Sequence, residues 1–308
     1  MENKAINKNK EEIDLSEFFY ILWNRKKIIL SSTIFFFLLA MIYSFTLPNI
    51  YHSKAILNPT SEENDVLNQA MKNYGGLASL AGINLSPQSS DNNSVKALEK
   101  LSSLSFFSEN ILPNIFLPDL MALKSWSSEN NKIFYNNDYN EETQKWVRDF
   151  KFPQNQVPSA QESFEIFKEQ LTVTQDQQTG FITIGIKHES PYISQAWTEL
   201  LVEELNYYFR EKDKKEAEAA TDYLYAQIAK TNFVEVKEAI AEILSSKTQQ
   251  LALIEVSDFY VFGYIDPPVV MEEKSEPSRV ILSLFGALIG FSLAVVLVLT
   301  NYFQSKKN

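Results

Sequence analysis

Few side chains in this sequence are suited to covalent or acid–base chemistry. It holds no cysteine, which excludes a thiol nucleophile, a cysteine zinc site and a disulfide scaffold. The two histidines, His52 and His188, stand far apart, so no local imidazole cluster offers metal ligation or a proton relay. His188 reads as a strand-end residue. The carboxylates that stand out are the adjacent pairs Glu203–Glu204 and Glu272–Glu273. A working carboxylate pair must converge on one bond, whereas neighbouring residues on a helix point apart. No glycine-rich phosphate loop is present. The sequence therefore predicts no catalytic, cofactor-binding or metal-ligating residue and no enzyme.

The chemistry lies in how apolar residues are distributed. From Ile28 to Leu47 the chain reads IILSSTIFFFLLAMIYSFTL, and from Val280 to Phe303 VILSLFGALIGFSLAVVLVLTNYF, both uncharged. A hydrocarbon layer of about 30 Å takes roughly 20 apolar residues in a helix, and only a helix satisfies their backbone there. The first stretch outruns the apolar core of a signal peptide and lacks a small-residue cleavage site after it. Both are expected to be retained transmembrane helices.

Arg25, Lys26 and Lys27 precede the first span, and Lys306 and Lys307 follow the second. The positive-inside rule predicts both termini in the cytoplasm. The expected layout is a cytoplasmic segment 1–27, a span 28–47, an external domain 48–279, a span 280–303 and a tail 304–308. With five residues after Phe303, no kinase or output module is expected, which also weighs against a ligand sensor. The external domain carries 34 acidic and 20 basic side chains. With an overall net charge of −11, a nucleic-acid partner is not expected.

Leu15, Phe18, Phe19, Leu22 and Trp23 fall at helical spacing after Asp14, a possible cap. Tyr20 and Trp23 beside basic residues suit an interfacial anchor. Tyr51–Leu57 alternates as a strand, and Val95–Leu112 reads as a helix. Between them lies an apolar island, Tyr74–Ile83, with three of the eight glycines. Pro113, Pro118, Pro153 and Pro158 punctuate a loop-rich stretch holding Trp126 and Trp146. Gln170–Gln175 and Phe181–His188 alternate around a turn at 176–180, which predicts a β-hairpin.

From Tyr192 to Phe262 there is neither glycine nor proline, and strong helix formers dominate. A single helix from Tyr192 to about Leu251 would reach roughly 90 Å. Its charged middle, Arg210–Glu216, is expected to be solvated, and a helix of that reach needs hairpin partners or other subunits beside it. The competing reading is several shorter helices, with Thr231–Asn232 the weak point. Leu224, Ile228, Val236, Ile240 and Ile243 are expected to be buried at an oligomer interface. A second β-rich run, Ser257–Ile265, leads to Pro267 and Pro268, with Pro277 before the second span. Proline stiffens such a connector. Within that span Gly286, Gly290 and Ala294 recur every fourth residue, a small face that lets helix backbones approach. The predicted fold class is an α+β membrane protein: two transmembrane helices flank a domain with a small membrane-proximal β-sheet and a long α-helix.

The order of several short motifs resembles a known family. They are Ile13-Asp14-Leu15, Leu22-Trp23-Asn24-Arg25-Lys26-Lys27, the island Gly75-Gly76-Leu77-Ala78-Ser79-Leu80-Ala81-Gly82-Ile83, and Ala97-Leu98 with Ser105-Phe106-Phe107. Thr179-Gly180, Ser190-Pro191, Ala196-Trp197, Leu201-Val202, Asn206, Glu216-Ala217-Glu218, Tyr223-Leu224, Gln227 and Lys230-Thr231 follow, then Tyr260-Val261-Phe262 and Ile265-Asp266-Pro267-Pro268. Together they resemble the polysaccharide co-polymerases, the chain length determinant proteins of bacterial O-antigen synthesis. One departure is Met271-Glu272, where the family usually has a further proline. The resemblance implies a non-enzymatic inner-membrane regulator whose main domain is periplasmic and whose α/β base carries long helices. It implies a homo-oligomer acting with an O-antigen polymerase on lipid-linked polysaccharide in lipopolysaccharide biosynthesis. The alternative is an adaptor for capsule or exopolysaccharide export working with a separate tyrosine kinase.

Overall fold

The computed structural model describes residues 15–59, 93–256 and 259–307. Asp14, the island at 74–83, Ser257 and Asp258 lie outside the described residues. The chain divides into two compact units, residues 1–49 with 275–308, and residues 50–274.

The first unit is built from helices α1 (Leu15–Asn24), α2 (Lys26–Thr46) and α8 (Arg279–Lys307). Helices α2 and α8 are each long and apolar enough to cross a membrane, and they include nearly all of the two predicted spans. They pack antiparallel: Phe45 near the end of α2 meets the Arg279 guanidinium at the start of α8, 4.7 Å from its ring. Most large side chains on both helices, such as Leu30, Phe35, Leu38, Leu288 and Phe291, face outward. That suits a hydrocarbon solvent, in which apolar side chains need no burial.

The second unit is built on a four-stranded antiparallel sheet in the order β6-β7-β1-β8, with β1 Tyr51–Pro59, β6 Leu171–Gln175, β7 Ile182–His188 and β8 Phe262–Asp266. The predicted hairpin is β6–β7, with Val173 opposite Ile184. The central pair sets Ser53 opposite Ile186 and Ala55 opposite Ile184. Ser53, Ala55 and Leu57 are buried while the residues between them are not, the period-2 pattern of a sheet with one covered face. Gly185 sits where any Cβ would meet Ser53 O at 2.6 Å and His52 Nε2 at 2.7 Å. Its bareness lets His52 reach Thr172 Oγ1 at 2.7 Å.

Helix α6 (Pro191–Lys230) covers the sheet through its first turns. Ser194 Oγ accepts from Ser53 N at 2.8 Å and donates to Ile186 O at 2.6 Å, and one turn on Thr198 Oγ1 accepts from Ile186 N at 3.1 Å. Two hydroxyls thereby fix the helix to the β1–β7 pair. Trp197, Leu201, Val202, Leu205 and Phe209 fill the core against Ile182, Ile184, Ile186, Phe106 and Phe107.

The predicted helix 95–112 is broken. Helix α3 (Asn93–Leu101) ends before Ser103, whose side chain caps a new turn at Leu104, and a widened turn over Phe107–Ile111 then points Phe107 inward. The stretch expected to be loop-rich contains short ordered pieces. These are α4 (Leu117–Met121), the ribbons β2 (Leu123–Ser127) with β3 (Lys132–Tyr135) and β4 (Tyr139–Asn140) with β5 (Lys145–Trp146), and α5 (Ala160–Gln170). Helix α5 starts with a reciprocal cap between Ser159 and Glu162. Glu162 also takes both Arg148 Nη atoms at 3.0 Å, which with the cap holds its carboxyl below the usual range.

The single long helix expected from Tyr192 to Leu251 is corrected to a helical hairpin. Helix α6 runs 40 residues, about 60 Å. The chain turns at Thr231–Phe233, and α7 (Val234–Val256) packs back along α6. The turn falls at the weak point: Thr and Asn are among the poorer helix formers.

Candidate functional site: the helical hairpin and the apolar helix pair

Among the described residues no group of three or more His, Cys, Asp or Glu could hold a metal ion. The candidate functional elements singled out in the sequence are surfaces and packed helices, and the structure places their residues as follows.

Leu224 on α6 and Ile240 and Ile243 on α7 are 1%, 0% and 0% exposed and touch one another, with Ile228 and Val236 packed at the margin. They form a seam inside one chain. A second copy is not needed to cover them, because the hairpin partner already does.

Nearer the sheet the seam becomes polar. Lys214 pairs with Glu255. Arg210–Glu216, expected to be solvated, contains a buried residue: Asp213 is 7% exposed, and its Oδ2 accepts from Tyr260 OH at 2.8 Å. Burial raises the Asp213 carboxyl above its ordinary range and lowers Lys247 beneath its own. Residue spacing along one helix could not reveal this, since Tyr260 lies in the segment that returns to β8.

Asn206 ties the hairpin base to that strand. Its Oδ1 accepts from Val261 N at 2.7 Å and Phe262 N at 2.9 Å, and its Nδ2 donates to Phe262 O and Val202 O, each at 3.1 Å. The buried amide thus uses both ends, filling its acceptor and its two donor sites.

His188 is buried at the end of β7. Ser190 N donates to its Nδ1 at 2.9 Å, which puts the ring proton on Nε2, 3.2 Å from Asp119 O. Burial pushes its pKa down to about 4. It is a neutral structural residue.

In the first unit the small face of α8 is the contact with α2. A Cβ on Gly286 would run into Ala40 and Phe36, and one on Gly290 would meet Phe36 Cβ at 2.7 Å and Ser32 O at 2.9 Å. Ser32 Oγ donates to Gly290 O at 3.0 Å, and Ala294 is buried. Close approach leaves no room for a larger side chain here. Trp23 is exposed, with Lys26 Nζ 4.5 Å from its ring centroid. In the connector Pro268 is buried, Pro267 exposed and Pro277 half-buried.

Residues 11–117 match the family model described as Wzz, chain length determinant protein. No curated protein matches the chain. Two solved structures are similar to it. A full-length bacterial polysaccharide co-polymerase is 14% identical, with a TM-score of 0.39 over 96% of this chain and 99% of the other. A fragment of WzzB, a polysaccharide co-polymerase from Salmonella Typhimurium, is 14% identical, with a TM-score of 0.34 over 74% of this chain and 100% of the other. Residues 11–117, which take in α1, α2 and β1, are thus similar to the chain length determinant proteins.

Proposed function

We propose that this protein sets the length of a lipid-linked surface polysaccharide, the O-antigen of lipopolysaccharide. In this reading it acts as an inner-membrane homo-oligomer beside a glycan polymerase and forms no glycosidic bond itself. The observation that carries the reading is the chain length determinant match over residues 11–117. The antiparallel pair α2–α8 supports a hairpin anchor, and the basic residues at its open end favour cytoplasmic termini with residues 48–279 in the periplasm.

Length control without catalysis has a physical route. Copies arranged in a ring present repeated weak contacts, and a growing chain gains retention as it spans more of them, through effective concentration. A ring made of one chain uses a heterologous interface closed by rotation. The seam of Leu224, Ile228, Val236, Ile240 and Ile243 serves that assembly by keeping the hairpin closed, so that its outer face is presented in one shape to neighbouring copies. Pro267, Pro268 and Pro277 stiffen the connector, and the Gly286–Gly290–Ala294 face keeps the anchor paired.

The test is deletion of the gene followed by gel display of lipopolysaccharide. Loss of the modal cluster of chain lengths is expected. An unchanged ladder overturns the reading, and an unchanged ladder with loss of capsule points instead to export.

A further inference from the structure

A cleft of about 310 Å³ opens between α6 and β8 on the second unit. Its α6 wall presents Glu203, Tyr207 and Arg210, and the facing wall Phe259, which precedes β8, and Tyr264 within β8. Tyr207 and Phe259 are 50% and 48% exposed. That is a large aromatic area to leave in water, and two such rings beside one cleft form an apolar platform. The Arg210 guanidinium lies 6.0 Å from the Tyr207 ring centroid, and Phe259 stands edge-on to Tyr264 with centroids 5.5 Å apart.

The polar groups of the cleft are unequally occupied. Glu204 is engaged by the Asn110 and Asn114 side-chain amides at 3.4 and 3.2 Å. Glu203 projects outward with no hydrogen bond to a described residue. The Tyr264 hydroxyl is covered and has no partner among the described residues, a state that costs free energy until something supplies one. Burial and the nearby charges of Glu199 and Glu203 push its pKa up to about 12, so it stays a hydroxyl able to donate. The walls are rigid where it matters, because Asn206, behind the cleft, clamps the β8 backbone to α6 with bonds of 2.7–3.1 Å. A site held by buried, fully satisfied neighbours is preorganised.

We propose that this cleft is a binding subsite for one pyranose unit of a non-acidic glycan. A pyranose offers an apolar ring face and a rim of hydroxyls. Tyr207 and Phe259 match the face. Glu203 as acceptor and Arg210 as donor match the rim. The cleft stands at the small end of ligand sites, about 300–1,000 Å³, which fits one ring rather than a chain. Two carboxylates, Glu203 and Glu204, line the cleft with a single guanidinium, and Glu199 also acts on Tyr264, so the excess negative charge disfavours a uronic acid. This inference rests on the chain-length reading for its biological sense but not for its chemistry.

The test uses the full-length protein in detergent, with saturation-transfer NMR to the methyl glycosides of galactose, glucose, N-acetylglucosamine and glucuronic acid. Transfer to at least one neutral glycoside and none to the glucuronide is expected. In Tyr207→Ala/Phe259→Ala the transfer should fall at least tenfold, and in Glu203→Gln severalfold. Tyr225→Ala, an exposed aromatic elsewhere on α6, should leave it unchanged. No transfer to any neutral glycoside, or equal transfer in the wild type and the double variant, overturns the subsite. The two readings fail separately. If gene deletion leaves the polysaccharide ladder unchanged, the chain-length reading falls whatever the NMR shows. If deletion collapses the ladder while the double variant binds sugar like the wild type, only the subsite falls.

Discussion

Replacing Asn206 with alanine tests whether one buried amide holds the helical hairpin to the sheet. The substitution removes the acceptor for Val261 N and Phe262 N and the donor to Phe262 O. All three backbone groups lie at buried residues, where water does not replace the lost partner. An orphaned buried group costs about 1–3 kcal/mol, so the two amides alone lose roughly 2–6 kcal/mol of protection. At about 1.4 kcal/mol per tenfold, exchange at those amides should speed up roughly thirtyfold to ten-thousandfold. The assay is hydrogen–deuterium exchange of the full-length protein in detergent, read on peptides covering residues 259–266 and, as an internal control, β2 and β3. The accelerated exchange should be confined to β8 and the adjoining base of α6 and α7. If Asn206→Ala leaves the Val261 and Phe262 amides as protected as in the wild type, the amide clamp is not what fixes this junction.

Three further outcomes follow from the packing. Gly286→Leu with Gly290→Leu forces side chains into Phe36, Ala40 and Ser32; the protein should still insert, while the modal polysaccharide length is lost, as read on a gel ladder. Leu224→Asp with Ile228→Asp places one charge in the buried seam and one at its margin, at a cost of several kcal/mol for the buried site; amide exchange along α6 and α7 should rise and cross-linked oligomers shrink. His188 has its pKa lowered to about 4 from 6.5, so the unfolded chain binds the proton first as pH falls. The contribution of His188 is therefore complete above pH 6.5 and is lost between about pH 6.5 and 4, to a total of about 3 kcal/mol. Denaturant titrations should show a shallower fall over that window in His188→Gln, and an unchanged slope would contradict the buried neutral ring.

The parts of this architecture that follow from local patterning were legible in the sequence. The apolar runs at 28–47 and 280–303 became α2 and α8, and the alternation from Gln170 to His188 became β6 and β7. The regularly spaced Gly286 and Gly290 pack against α2 because backbone proximity depends on side-chain size alone. Where long-range contacts decide, the pattern was insufficient. Residues 192–262 contain no glycine or proline, yet the chain reverses at Thr231–Phe233, since burying Leu224 against Ile240 and Ile243 outweighs the modest propensity cost of ending a helix there. The same turn gave the predicted interface residues a partner within their own chain. Asp213 looked solvated among six other charged residues, yet it is buried where Tyr260 returns to donate to it. One local signal did exist for α5: Ser159 followed three residues later by Glu162 is a capping box.

The central claim is that this chain shapes polymer length while a separate polymerase makes the bonds. The most direct measurement reconstitutes the polymerase with lipid-linked repeat units in vesicles and compares the repeat-number distribution with and without this protein. The polymerase alone should give a distribution that declines steadily with length, and adding the protein should turn it into one with a peak. The protein without the polymerase should yield no polymer. A distribution that is the same in both cases, or polymer formed by this protein alone, would contradict the account.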